Sequence, residues 1–98
     1  MYFKLHEREG RRVLAACDRE LIGKVLEEGG VVLDLAAYAS FYKGDLCTEK
    51  ELLSRIPSAS SLNLIGKKAV AAGLRSGAFP RDEVKYIKGI PHIQLYRI

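Results

Sequence analysis

Tyr2-Phe3-Lys4-Leu5-His6-Glu7-Arg8-Glu9-Gly10-Arg11-Arg12-Val13-Leu14-Ala15-Ala16-Cys17 opens the chain and reads as two strands joined by a turn. Tyr2 to His6 alternates with period two, Glu9-Gly10 offers the turn, and Arg12 to Cys17 supplies the second strand. The far end of the sequence repeats the pattern. Val84 to Lys88 and His92 to Ile98 read as strands around a Gly89-Ile90-Pro91 turn. Two terminal hairpins imply an α+β domain with a largely antiparallel sheet and about three helices packed on one face.

Three helices are expected between the hairpins. The first is capped by Asp18, presents Leu21, Ile22, Val25 and Leu26, and stops at Gly29-Gly30. Val31 to Leu35 is a brief β-rich run, and Tyr38 to Gly44 has no clear period. Thr48-Glu49-Lys50-Glu51 spells a capping box, so a second helix starts there and ends at Ile56-Pro57. The third is expected from Ser60 or Ser61, with Leu62, Ile65, Ala69, Val70 and Ala72 as its apolar stripe and Gly77 as its stop.

Composition sets the frame for these elements. The 98 residues, 48% of them apolar, suit a single domain over residues 1–98. Charged residues near the start and the lack of a long apolar run argue for a cytoplasmic chain without membrane contact. One Asn, one Gln and one Thr beside 28 charged residues is the amide-poor bias of proteins that work hot. Net charge is +4, but residues 1–54 hold eight Lys+Arg against ten Asp+Glu, while residues 55–98 hold eight against two. The excess positive charge therefore sits in the second half, where it favours polyanionic partners. Cys17 and Cys47 form no C-x-x-C unit, so two buried thiols are the default. In a hyperthermophile a Cys17–Cys47 disulfide would also suit the cytosol.

Strand alternation sends Phe3, Leu5, Ile93 and Leu95 to one side of the sheet. Tyr2, Lys4, His6, His92, Gln94 and Tyr96 go to the other. If the first and last strands are neighbours, these rings and cations suit unpaired RNA bases and their phosphates, with Lys67, Lys68, Lys85, Lys88 and Arg97 adding charge. The plain alternative is the ordinary solvent face of a sheet, where Tyr is common. Ser60, Ser61, Asn63 and Lys67 form a candidate anion site at the expected helix start, although the Walker spacing is absent. Cys17, Asp18 and His92 are the residues of a conceivable Cys–His pair oriented by a carboxylate.

Several strings resemble one family when taken in order. They are Cys17-Asp18, Leu21-Ile22-Gly23-Lys24, Glu28-Gly29, Phe41-Tyr42-Lys43-Gly44, Asn63-Leu64-Ile65-Gly66 and Ile87-Lys88-Gly89-Ile90-Pro91-His92-Ile93-Gln94. Together they are similar to an archaeal family of small proteins with a domain of unknown function, family four-two-four. The Gly-Ile-Pro-His-Ile-Gln segment is the most specific piece. The resemblance implies an archaeal, cytoplasmic source and no particular reaction.

The leading expectation is a non-enzymatic module of archaeal, translation-related information processing that binds RNA or a ribonucleoprotein. No catalytic residue, metal or cofactor is assigned. One alternative is a small enzyme or phosphate-ligand protein using His92, Cys17 and Asp18. Another is an adaptor whose Tyr38, Phe41 and Tyr42 meet a protein partner.

Overall fold

A computed structural model describes residues 1–96. Its main sheet has six strands, β1 (Tyr2–Arg8), β2 (Arg11–Cys17), β5 (Asp45–Leu46), β6 (Ser61–Ile65), β7 (Lys85–Ile87) and β8 (Ile90–Tyr96). Their order is β5-β1-β2-β6-β8-β7. Among the described residues only the central β2–β6 ladder is parallel; the others are antiparallel. A separate two-stranded sheet consists of β3 (Val25–Glu28) and β4 (Val31–Asp34). The helices are α1 (Ala39–Tyr42), α2 (Glu49–Arg55) and α3 (Lys67–Arg75).

Both expected hairpins form. Each hairpin of the fold closes through two residues, Glu9-Gly10, Gly29-Gly30 and Lys88-Gly89, all with positive φ between 52° and 85°. That is the type I′ turn, whose twist matches that of the flanking strands. The last turn lies one residue earlier than expected, and Ile90 and Pro91 already belong to β8.

Two helical expectations are corrected. Arg19–Leu21 is a single 3₁₀ turn, and the chain from Val25 to Asp34 is the β3–β4 hairpin. Leu21, Ile22, Val25 and Leu26 meet helical spacing, but Gly29-Gly30 is here a hairpin turn rather than a helix stop. Nor does Asp18 cap the local turn. The second correction concerns Ser61 to Ile65, which is strand β6 with every residue buried. α3 begins only at Lys67, after Gly66 at φ +109°. Leu62 and Ile65 line up with Ala69 and Ala72 in sequence, yet they sit on a different element. α2 starts at Thr48 as expected: Thr48 Oγ1 accepts from Glu51 N at 3.1 Å, and Thr48 N donates to Glu51 Oε1 at 3.2 Å. Gly77 follows the end of α3 with φ +74°.

The sheet has a core on each side. On one, Phe3, Leu14, Ala16, Leu62, Leu64 and Ile93 meet Leu52 and Ile56 and the Ala69, Val70 and Ala72 stripe of α3. On the other, Ala15, Cys17 and Ile65 lie under Leu21, Leu35 and Tyr42. α2 and α3 thus share one face, while α1 and the β3–β4 hairpin partly cover the other.

Candidate functional site

Strand register lines up the face that the alternation singles out. Tyr2, Cys17, Ile65 and His92 form one row across β1, β2, β6 and β8. Lys4, Ala15, Asn63 and Gln94 form the next, followed by His6, Val13, Ser61 and Tyr96. The two polar sets therefore share a face, but β2 and β6 lie between them. With strands roughly 4.8 Å apart, about 14 Å separates Lys4 from Gln94. The continuous aromatic platform that neighbouring strands would create does not form.

Each set has its own environment. Lys4 Nζ donates to Ser40 O at 2.9 Å, and His6 Nε2 donates to Phe41 O at 2.8 Å. The His6 ring also stacks on Phe41, with centroids 4.3 Å apart and planes 11° from parallel. Lys43 Nζ sits 5.8 Å from the centre of the Tyr2 ring. The β1 set thus anchors α1, supplying donors to carbonyls that so short a helix leaves unpaired.

The β8 set instead faces a cleft. Asn63 and Gln94 pair across β6 and β8 and form its floor with Ile65 and Tyr96. Val32 to Leu35 make one wall, and Tyr38, Phe41 and Tyr42 the other, around about 320 Å³. Tyr38 and Tyr96 are 65% and 71% exposed. Asn63 is only 8% exposed, and its Oδ1 accepts no hydrogen bond from any described residue. An unpaired buried polar group costs roughly 1–3 kcal/mol, which an apolar residue would avoid. Gln94 also lines a second cleft, of about 400 Å³, with Asp82, Glu83, Lys85 and His92. Burial there, with Lys85 directly across the ladder, holds the His92 pKa below the usual histidine value.

The expected anion site is corrected. Ser60 lies before β6, where its amide donates to Arg12 O at 2.8 Å and its hydroxyl accepts from Arg12 N at 3.2 Å. Ser61 and Asn63 are in mid-sheet, and Lys67 alone stands at the helix start. That start already holds an anion: Asp18 accepts from Lys68 N at 3.0 Å and Ala69 N at 2.9 Å. Gly66 makes room for it, since a Cβ there would lie 2.3 Å from the Asp18 carboxyl carbon. The chain's own carboxylate replaces the phosphate that the serines suggested.

Cys17, Asp18 and His92 do not assemble. Ile65 separates Cys17 from His92 in their row, a gap of about 10 Å at ordinary strand spacing. The Cys17 thiol is fully buried, donates to Asp18 O at 3.3 Å, and is pushed up to about 12 by burial and then by Asp18. Both cysteines are free; Cys17 lies in the smaller core, whereas Cys47 packs against the larger one.

Of the other cations, Lys85 and Lys88 are exposed on β7 and its turn. Lys67 and Lys68 follow the Ile65 end of β6, whereas Tyr96 pairs with Ser61 at the other end. Arg97 lies outside the described residues. The aromatics of 38–42, expected as a partner-binding loop, form the cleft wall. Asp34 escapes a reading of the sequence alone; its Oδ1 accepts from the Ala36 and Ala37 amides at 3.1 and 2.8 Å and turns the chain toward α1. An Asp two residues ahead of a pair of alanines is its one legible signal.

No curated protein matches the chain. A crystal structure described as that of an uncharacterized conserved protein from Methanopyrus kandleri is similar to it. That chain is 24% identical with a TM-score of 0.81, and the match covers 99% of this chain and 90% of the other, a likeness of fold. The model of the family described as Protein of unknown function (DUF424) matches residues 6–98. Spanning nearly the whole sequence, that match makes the chain a member of the DUF424 family.

Proposed function

We propose that the chain is a non-enzymatic RNA-binding module of archaeal information processing, acting on unpaired RNA alone or within a ribonucleoprotein. The observation that carries this reading is the pair of exposed tyrosines, Tyr38 and Tyr96, beside the amide-floored cleft. Large rings left in water suit stacking with unpaired bases, which every base offers. Lys85 and Lys88, with Arg97 just beyond the described residues, provide charge for the backbone. The charge-rich, amide-poor composition adds a source that grows hot. An enzymatic reading has less support, because Cys17 is buried and protonated and Asp18 is spent on α3.

Fluorescence anisotropy with a labelled single-stranded RNA tests the proposal. About three phosphate contacts predict a roughly twentyfold loss of affinity between 50 and 200 mM salt. Replacing Tyr38 and Tyr96 together by Ala is expected to weaken binding by roughly tenfold or more, the effect of losing a stacked base. No binding at low salt, or unchanged affinity in the double variant, would defeat the proposal.

A second reading rests on Val25, Val31 and Val32, which are all more than half exposed on the β3–β4 hairpin. Val25 and Val32 share one face of the hairpin and Val31 stands on the other, so apolar side chains left in water on both faces favour a protein partner that grips the hairpin. Co-purification of one protein after nuclease treatment, lost on changing the three valines to Thr, would support it.

A further inference from the structure

We infer that the cleft takes a single unpaired nucleobase, whose edge hydrogen-bonds the Asn63 and Gln94 amides. The inference deepens the RNA reading and rests on it for the source of the base. Asn63 is the decisive residue: it stands in the middle of the central strand, more than nine-tenths buried, with Oδ1 unpartnered among the described residues. A leucine there would fill the space without an unmet polar atom. The amide therefore serves something other than the fold, and it lies on the cleft floor.

The lining identifies the ligand's chemistry. Asn63 and Gln94 stand side by side, each with a donor and an acceptor, and a base edge offers a matching pair. The tyrosines and Phe41 suit a flat, weakly polar ring. Among the described residues no Lys or Arg lines the cleft, and Asp34 lies in its wall, so a phosphate does not belong inside it. A lipid chain would leave the Asn63 amide unmet. At about 320 Å³ the space is near the lower limit of small-molecule pockets, enough for one heterocycle and not for a folded oligonucleotide. Phosphates of the same strand would lie outside, toward Lys85 and Lys88.

Titrating the ¹⁵N-labelled full chain with each of the four nucleoside 5′-monophosphates, and with ribose 5-phosphate, tests the inference. At least one nucleotide is expected to shift the Asn63 and Gln94 side-chain amide signals saturably, whereas ribose 5-phosphate leaves them in place. Asn63→Leu is expected to abolish binding while the melting temperature holds or rises. Gln94→Ala changes an exposed side chain and is expected to weaken binding by roughly tenfold or more. Failure of all four nucleotides to move these amides, equal movement by ribose 5-phosphate, or unaltered binding by Gln94→Ala would overturn the inference. The two proposals fail separately. Nucleotides that titrate the cleft when single-stranded RNA does not bind uphold the base site and remove the RNA reading. RNA binding that weakens in the Tyr38 and Tyr96 double variant but is unaltered by Gln94→Ala does the reverse.

Discussion

Asp18 links two parts of the chain through one carboxylate. It follows β2, is buried, and satisfies two amides at the start of a helix about fifty residues further on. Gly66, the residue before α3, has no side chain to do so. Asp18→Ala would leave both amides unpaired and is expected to lower stability by about 1–2 kcal/mol, with Asp18→Asn retaining much of it, as chemical denaturation would measure. The same residue shows the limit of local reading. Its side chain makes a cap legible, but a cap ordinarily serves the adjoining turn, and only the tertiary fold brings Asp18 to α3.

At the scale of elements, the three I′ turns offer the cleanest test. Glu9 and Lys88 occupy positive φ, where asparagine is better suited. Lys88→Asn is expected to raise stability by about 0.5 kcal/mol, read from the urea midpoint; an unchanged or lower midpoint would contradict the turn assignment. The hairpins are legible because a half-buried strand declares itself by alternation and its turn by Gly. β6 is not, because its alternation of Ser61 and Asn63 with Leu62 and Leu64 is only five residues long and its apolar positions run on into Ala69 and Ala72 at helical spacing. β3 is hidden by four apolar residues at spacings that also suit a helix. The candidate site is legible as a set of residues, since Asn63, Gln94 and Tyr96 each stand out in the sequence. Their meeting depends on β6 pairing with β8, and thus on a strand that the sequence disguises as a helix.

For the whole molecule, buried acids set the alkaline limit. Burial first, then Asp18, raises the Cys17 thiol to about 12. Burial also raises the Tyr42 hydroxyl to about 12. The unfolded chain loses these protons near pH 9 and 10, while the folded chain keeps them. Their stabilisation is therefore complete below pH 9 and is lost as pH rises toward 12. Each group removes up to about 1.4 kcal/mol per pH unit in its window. Melting temperature is expected to fall above pH 9, and Cys17→Ala to flatten the first part of that fall. A melting temperature independent of pH between 8 and 11 would contradict the burial of these two groups.

The β2–β6 ladder also bears on how the chain is made. A hairpin closes within microseconds, but a parallel ladder must wait for the whole crossover between its strands. During synthesis β1 and β2 can pair long before Ser61 leaves the ribosome, at about 5–20 residues per second. For some seconds β2 then presents an open edge to every other nascent chain. Beyond Val13 and Leu14 its residues are the small Ala15, Ala16 and Cys17, and Arg11 and Arg12 stand at its start. Small side chains and two adjacent charges make that edge a poor template for other strands, so the waiting half-sheet is shielded against misassembly.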